Sequence, residues 1–227
     1  MHLRSALLAL LATATAGFCQ QQSTLDAPYK VWYASHLDNP IDSVVDIINT
    51  GGNGGVSAFG PQFGTANSGN ICVNVYAFDS TEELVSCCSC MITPNQVKEL
   101  KVGEQILAAG TLTGFPVSSM TLKLIGSSGA AAGSYPSTCA TSAASVSAAV
   151  GSTNYPVGGY VAFGTTVHAV ASNTYRVSES EFIPAILSGD GSELRSLTTR
   201  CAFIVGNGSG FGQCGGCNAG ALGAAKQ

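Results

Sequence analysis

The residues with the most chemistry to offer are cysteines. Cys87, Cys88 and Cys90 fall in one run, Cys-Cys-Ser-Cys, and Cys214 and Cys217 form Cys-Gly-Gly-Cys. Cys72, Cys139 and Cys201 stand singly. Three chemistries are open to such a set. Thiolates could hold a zinc-like metal, for which two Cys-x-x-Cys knuckles would be a strong signal. One such knuckle is present, and Cys-Cys-x-Cys is not its usual partner. A Cys-x-x-Cys dithiol could be redox-active where it opens a helix after a strand. Here the two intervening residues are glycines and no βαβ pattern precedes them, which favours a structural loop.

Disulfides are the third reading, and the one that fits an exported chain. Cys72, Cys87, Cys88, Cys90, Cys139, Cys201, Cys214 and Cys217 are all expected to pair, leaving no thiol and no metal. Neighbours on a strand point to opposite faces. Cys87 and Cys88 should therefore take different partners, one across the core and one on the outer face, drawn from Cys201, Cys214 and Cys217. Cys72 and Cys90 come near-opposite in some hairpin registers and form a further candidate pair.

Beyond the cysteines the chemistry is thin. Past the N-terminal segment the histidines are His36 and His168. A Ser-His-Asp arrangement needs one of them, but no Gly-x-Ser-x-Gly elbow is present. His168 sits in a strand pattern and reads as a structural histidine. Asp79, Glu82 and Glu83 gather carboxylates at a turn, without the Asp-x-Asp-x-Asp-Gly order of a calcium loop, so a solvated turn is expected. A carboxylate pair for glycoside hydrolysis would have to face across a cleft, which spacing alone does not show. Asn207-Gly-Ser209 fits the glycosylation pattern. No cofactor is expected.

The chain opens with one firm positive charge at Arg4, an apolar run over residues 5–12, and small residues through Gly17. This is the order of a secretory signal, and the run is shorter than the roughly 20 residues a membrane helix needs. Cleavage after Ala16 would keep Cys19, whereas cleavage after Cys19 leaves an even set of cysteines and a chain starting at Gln20. The parity favours the second. Phe18 stands where a lipoprotein signal carries a small residue.

Charged residues make up 10% of the chain and the net charge is −4. Nine scattered Lys and Arg cannot form the basic stripe of a nucleic-acid binder. The low charge and the abundance of Gly, Ser, Thr and Ala suit an extracellular β protein with long loops.

These side chains must be positioned by strands. Residues 20–28 read as a mobile start. Strand patterns follow at residues 30–34, 42–49, 71–79, 84–93, 104–109, 120–125, 160–170 and 175–178. In residues 71–79, Ile71, Val73, Val75, Ala77 and Asp79 face one way and Cys72, Asn74, Tyr76 and Phe78 the other. With the polar turn at residues 80–83 and the return at residues 84–93, this is a β-hairpin. Residues 96–100 read as one helical turn or a loop, and residues 51–70 as a Gly- and Asn-rich loop. Residues 126–155 read as a low-complexity loop tied at Cys139. Residues 179–184 hold a charge pair and a breaker. Leu194, Leu197 and Cys201 recur at helical spacing behind Ser192, a candidate N-cap, which predicts a short helix over residues 192–201. The tail after Gly206 is Gly-rich and reads as irregular, with residues 214–227 forming the Cys-x-x-Cys and a flexible Gly/Ala tail.

The segment Ile-Cys-Val-Asn-Val-Tyr-Ala-Phe-Asp, followed by Glu-Leu-Val-Ser-Cys-Cys-Ser-Cys and Thr-Pro-Asn, resembles a group of secreted bacterial proteins with no assigned activity. The likeness takes in Cys201-Ala-Phe-Ile and the closing Cys-x-x-Cys, about a third of the chain. It implies a secreted bacterial β protein and transfers no catalytic residue.

The fold expected is mainly all-β: a disulfide-stapled antiparallel β-sandwich over residues 29–213, with long Gly/Ser-rich loops and one short helix. The function expected is that of a secreted or cell-surface structural or binding protein without catalytic activity, with an extracellular polymer or cell-surface component as its partner. A secreted hydrolase or carbohydrate-binding protein is the alternative, and a metal-binding protein the third reading. An exposed aromatic row from Tyr29, Trp32 and Tyr33, or from Tyr155 and Tyr160, would favour sugar stacking; burial of these rings would not.

Overall fold

Residue alternation in the central hairpin decides the architecture. The computed structural model describes residues 27–37, 41–54, 69–107, 110–111, 114, 116–128, 136, 139, 155–188 and 191–217. The strands are β1 Tyr29–Ser35, β2 Val44–Asn49, β3 Ile71–Asp79, β4 Leu84–Ile92 and β5 Val97–Lys101. They continue with β6 Ser119–Ser128, β7 Tyr155–Pro156, β8 Tyr160–Ala171, β9 Thr174–Glu181 and β10 Ile183–Pro184. One helix, α1 Ser192–Gly206, follows. β3 and β4 form the expected hairpin, with Val75 opposite Cys88 and Tyr76 opposite Cys87.

Two antiparallel sheets result. One runs in the order β10-β1-β6-β3-β4, with β7 also paired to β6; the other runs β5-β2-β8-β9. The inner faces meet in a core built from Trp32, Val73, Val75, Leu122 and Leu124 on one side and Val45, Ile47, Leu100, Tyr160 and Ala162 on the other. Each fully buried Val, Ile or Leu there contributes roughly 1.5–3 kcal/mol.

The second face of β3 is buried as well. Tyr76, Leu84, Cys87 and Ile125 meet Leu194, Leu197, Cys201 and Ile204 of α1. These four helix residues form one apolar stripe, so the helix makes a third layer over the outer face of the larger sheet. The hairpin lies between the helix and the opposite sheet, and both its faces are therefore buried, with Asn74, Ser86 and Ser89 as its enclosed polar residues.

Several expectations are corrected. Residues 104–106 are not a strand; Val102–Ile106 wind into one π-helical turn. The Asp42 carboxylate accepts from the backbone N–H of Gly103 (2.7 Å) and Glu104 (2.9 Å), and the Gln105 side chain accepts from Lys101 N–H (2.7 Å). These bonds satisfy amide groups that a strand would have paired. Residues 97–100 are neither helical turn nor loop but belong to β5, because β2 offers an edge on which they pair from Val97 to Lys101. The breaker region forms the end of β9, the short β10, and between them Phe182, which is fully buried.

Ser192 does not cap α1. Gly191 occupies that position with φ +70°, and Ser188 supplies the hydroxyl, accepting from Glu193 N–H at 2.9 Å. Ala27 and Pro28 are part of the fold: Pro28 carbonyl accepts from Gly126 N–H (2.9 Å) and from the Tyr160 hydroxyl (3.1 Å). Residues 126–128 continue β6, and residues 155–156 form β7. The signal reading over residues 1–19, the greater part of the loop readings at 51–70 and 126–155, and residues 218–227 lie outside the described residues.

Candidate functional site

Strand β4 presents its cysteines to both layers. Cys87 faces α1 and is bonded to Cys201 of that helix. Cys88 and Cys90 face the core and are bonded to Cys214 and Cys217. The doublet therefore has two partners on opposite faces, as strand alternation requires. Cys72 is bonded to Cys139, with 5.7 Å between their Cα atoms. The Cys72–Cys90 pair does not form, because the hairpin register sets Cys72 against Met91 and Cys90 against Val73. Their side chains consequently point to opposite faces.

The C-terminal segment docks along the outer edge of β4. Cys87 N–H donates to Gly212 carbonyl (2.9 Å), Cys214 N–H to Cys87 carbonyl (3.2 Å), and Gly215 N–H to Gln105 carbonyl (2.7 Å). A parallel bridge joins Cys87 to Gln213. This covers a sheet edge that would otherwise expose unpaired amides. It also gathers four sulfurs. The Sγ atoms of Cys88 and Cys217, which belong to different disulfides, lie 3.3 Å apart. Those of Cys88, Cys90 and Cys217 all fall within 4.8 Å of one another.

The other chemical candidates are dispersed. His36 and His168 are brought together, with ring centroids 5.3 Å apart in an edge-on arrangement. His168 Nε2 meets Ser178 Oγ at 2.9 Å, and His36 Nδ1 meets the hydroxyl of its neighbour Ser35 at 2.9 Å. Asp79 folds its carboxylate back on its own turn, accepting from Thr81 N–H and hydroxyl (both 2.8 Å) and from Glu83 N–H (3.1 Å). Partial desolvation works to raise its pKa, but the bonds from the Thr81 hydroxyl and from the Glu83 and Thr81 amides outweigh it and hold the carboxyl below its ordinary value. Asn207 spends its side-chain oxygen on Ser209 N–H at 2.8 Å.

Among the described residues, Tyr29, Trp32, Tyr33 and Tyr160 do not form a stacking row. Trp32 and Tyr160 are buried, Tyr29 packs partly under α1, and Tyr33 is 62% exposed. The Trp32 ring stacks on Phe182 at 5.5 Å. The side chain of Tyr155 lies outside the described residues.

The concave surface lies where the sequence reading placed only a turn. Two clefts, of about 350 Å³ and 680 Å³, flank the β3–β4 tip beneath α1, and Glu82 and Arg200 line both. The first is walled by Phe78, Lys123 and Glu193, the second by Leu84, Phe203 and Ile204. Lys123 pairs with Glu193 and sits over the Phe78 ring at 5.9 Å. Arg200 takes part in no ion pair among the described residues. Phe203 is 70% exposed at the rim. Lys123, Glu193 and Arg200 are scattered in sequence, and no spacing signal marks them; only the docking of α1 on β3 and β6 brings them together.

No family model matches the chain, and no curated protein matches it. Among solved structures, the crystal structure of Thermotoga maritima 1070 is similar at 10% identity, covering 69% of this chain and 94% of that one, with a TM-score of 0.36. A likeness of that size carries no argument about this protein. Among the described residues no helix is long and apolar enough to cross a membrane.

Proposed function

We propose that this chain is a secreted or cell-surface binding protein of bacterial origin, without catalytic activity, and that it engages an extracellular polymer or cell-surface component through the groove between α1 and the β3–β4 tip. The observation that carries the reading is the use of the cysteines. Four disulfides fasten the helix, the C-terminal segment and residue 139 to a single hairpin, which suits a chain built to persist in an oxidising environment. The rigid hairpin tip then presents a mixed surface: the Arg200 guanidinium, the Glu82 carboxylate and the exposed Phe203 ring. Such a combination recognises a polar polymer by charge and shape rather than by flat sugar stacking, since Trp32 and Tyr160 are turned inward.

The test is cosedimentation of the purified oxidised protein with insoluble bacterial cell-envelope material. Wild type is expected to sediment with it, and Arg200→Glu to lose at least tenfold in retention while keeping the wild-type melting temperature. Failure of the wild type to bind would overturn the reading, as would hydrolysis of envelope polysaccharide by the purified chain. The intact mass of the exported protein tests the secretion part, and a chain beginning at Gln20 is expected.

A further inference from the structure

We propose that Cys88, Cys90, Cys214 and Cys217 are also a latent metal site: once reduced, their four thiolates bind one zinc-class divalent cation. This goes beyond the binding role of the oxidised chain and does not depend on it. Two observations carry it. The first is the convergence of sulfurs, with 3.3 Å between Cys88 and Cys217 and the Cys88, Cys90 and Cys217 Sγ atoms within 4.8 Å of one another. A tetrahedral thiolate site with zinc–sulfur bonds of about 2.3 Å sets its sulfurs about 3.8 Å apart. Each bonded pair would have to open by about 2 Å; the Cys88–Cys217 contact is already near the required span, and Cys214, tethered to Cys88 by its disulfide, would have to swing towards Cys90 and Cys217.

The second observation is that backbone hydrogen bonds independent of sulfur hold the segments that carry the ligands. Cys88 and Cys90 stand on one face of a strand paired without interruption with β3 from Ser86 to Ile92. Cys214 and Cys217 lie on a loop held by Cys87 N–H to Gly212 carbonyl, Cys214 N–H to Cys87 carbonyl and Gly215 N–H to Gln105 carbonyl. None of these bonds involves sulfur. Gly216, at φ +78°, gives the loop the backbone freedom to let Cys217 move.

Reduction needs an external dithiol. Its thiolate attacks Cys217, the most accessible of the four, and Cys90 leaves with the electron pair and takes a proton. The second thiol of the reagent then closes a cyclic disulfide and releases Cys217 as a thiol. A second dithiol reduces Cys88–Cys214 in the same way. In all, four electrons and four protons pass to the protein, and two dithiols become two cyclic disulfides. One divalent cation then displaces the four thiol protons.

The experiment reduces the full chain with dithiothreitol, removes the reagent anaerobically and titrates with cadmium. Thiolate-to-metal charge transfer in the near ultraviolet reports binding. One cadmium per chain is expected, with none taken up by the oxidised protein. C72A/C139A and C87A/C201A, tested separately, should each retain that stoichiometry, and C90S/C217S should lose at least 100-fold in affinity. Zinc should displace cadmium one for one. Absence of uptake by the reduced wild type would overturn the proposal. So would loss of binding in both alanine pairs together with retention in C90S/C217S, because the sulfurs at work would then lie elsewhere.

Discussion

The Trp32 indole lies against the bare backbone of Gly164, reaching from one sheet to the other. Its Nε1 donates to Ser180 Oγ at 2.9 Å, on the strand next to that of Gly164. A Cβ at position 164 would overlap the indole itself. Trp32 is rigid and buried, and it is stacked on Phe182, so it has no empty space into which to withdraw. Gly164→Ala is expected to destabilise the fold by about 3 kcal/mol, at the upper end of overpacking costs. Urea denaturation of the oxidised protein measures it. An unchanged midpoint would mean that the sheets separate easily.

Tyr76 is fully buried beneath α1, and among the described residues its hydroxyl has no hydrogen-bond partner. Burial also pushes its phenol well above the ordinary pKa. A buried polar group left unpaired costs about 1–3 kcal/mol. Tyr76→Phe removes that group and keeps the ring, so the variant should be as stable as wild type or more stable by about 1 kcal/mol. Thermal unfolding at neutral pH reads the sign. A clear loss of stability would reveal a hydrogen bond that the hydroxyl makes after all.

Asp46 has a pKa raised above 3.8, first by desolvation and then by the Glu99 and Glu179 carboxylates beside it on the outer face of the smaller sheet. The folded chain holds this proton where the unfolded chain has released it. Stability from this group therefore falls as pH rises through the window between 3.8 and the raised value. Asp46→Asn should raise the melting temperature near about pH 7, with the gain shrinking towards about pH 3 as the native carboxyl protonates. An equal gain at both ends would assign the effect to something other than charge.

The Cys87–Cys201 bridge spans 114 residues and joins β4 to the helix. In the chain-entropy model a loop of that length stabilises by roughly 4–5 kcal/mol. C87A/C201A should lose about that much in guanidinium unfolding while its core-side bridges persist. Peptide mapping of the unreduced wild type should recover Cys87 with Cys201 and Cys88 with Cys214. Recovery of Cys214 joined to Cys217 would break the proposed anchoring of the C-terminal segment.

Much of the fold was legible because alternation and β-branched runs are local signals. The hairpin over residues 71–92, the strands at residues 30–34 and 160–170, and the stripe of Leu194, Leu197 and Cys201 all follow from side-chain period alone. The opposite facing of Cys87 and Cys88 is the same kind of fact, and with it the need for two separate partners. Which partners they take is not local. Cys72 meets Cys139 rather than Cys90 because register, set by the whole strand pair, turns Cys72 and Cys90 to opposite faces. Residues 97–101 became a strand because β2 offered an edge, and residues 102–106 became a turn in which Asp42, distant in sequence, accepts the amides of Gly103 and Glu104. The groove of Lys123, Glu193 and Arg200 and the four-sulfur cluster have the same origin. Composition and period determine which residues face inward, but the distances between remote side chains are set only when the helix and the C-terminal segment pack against the hairpin.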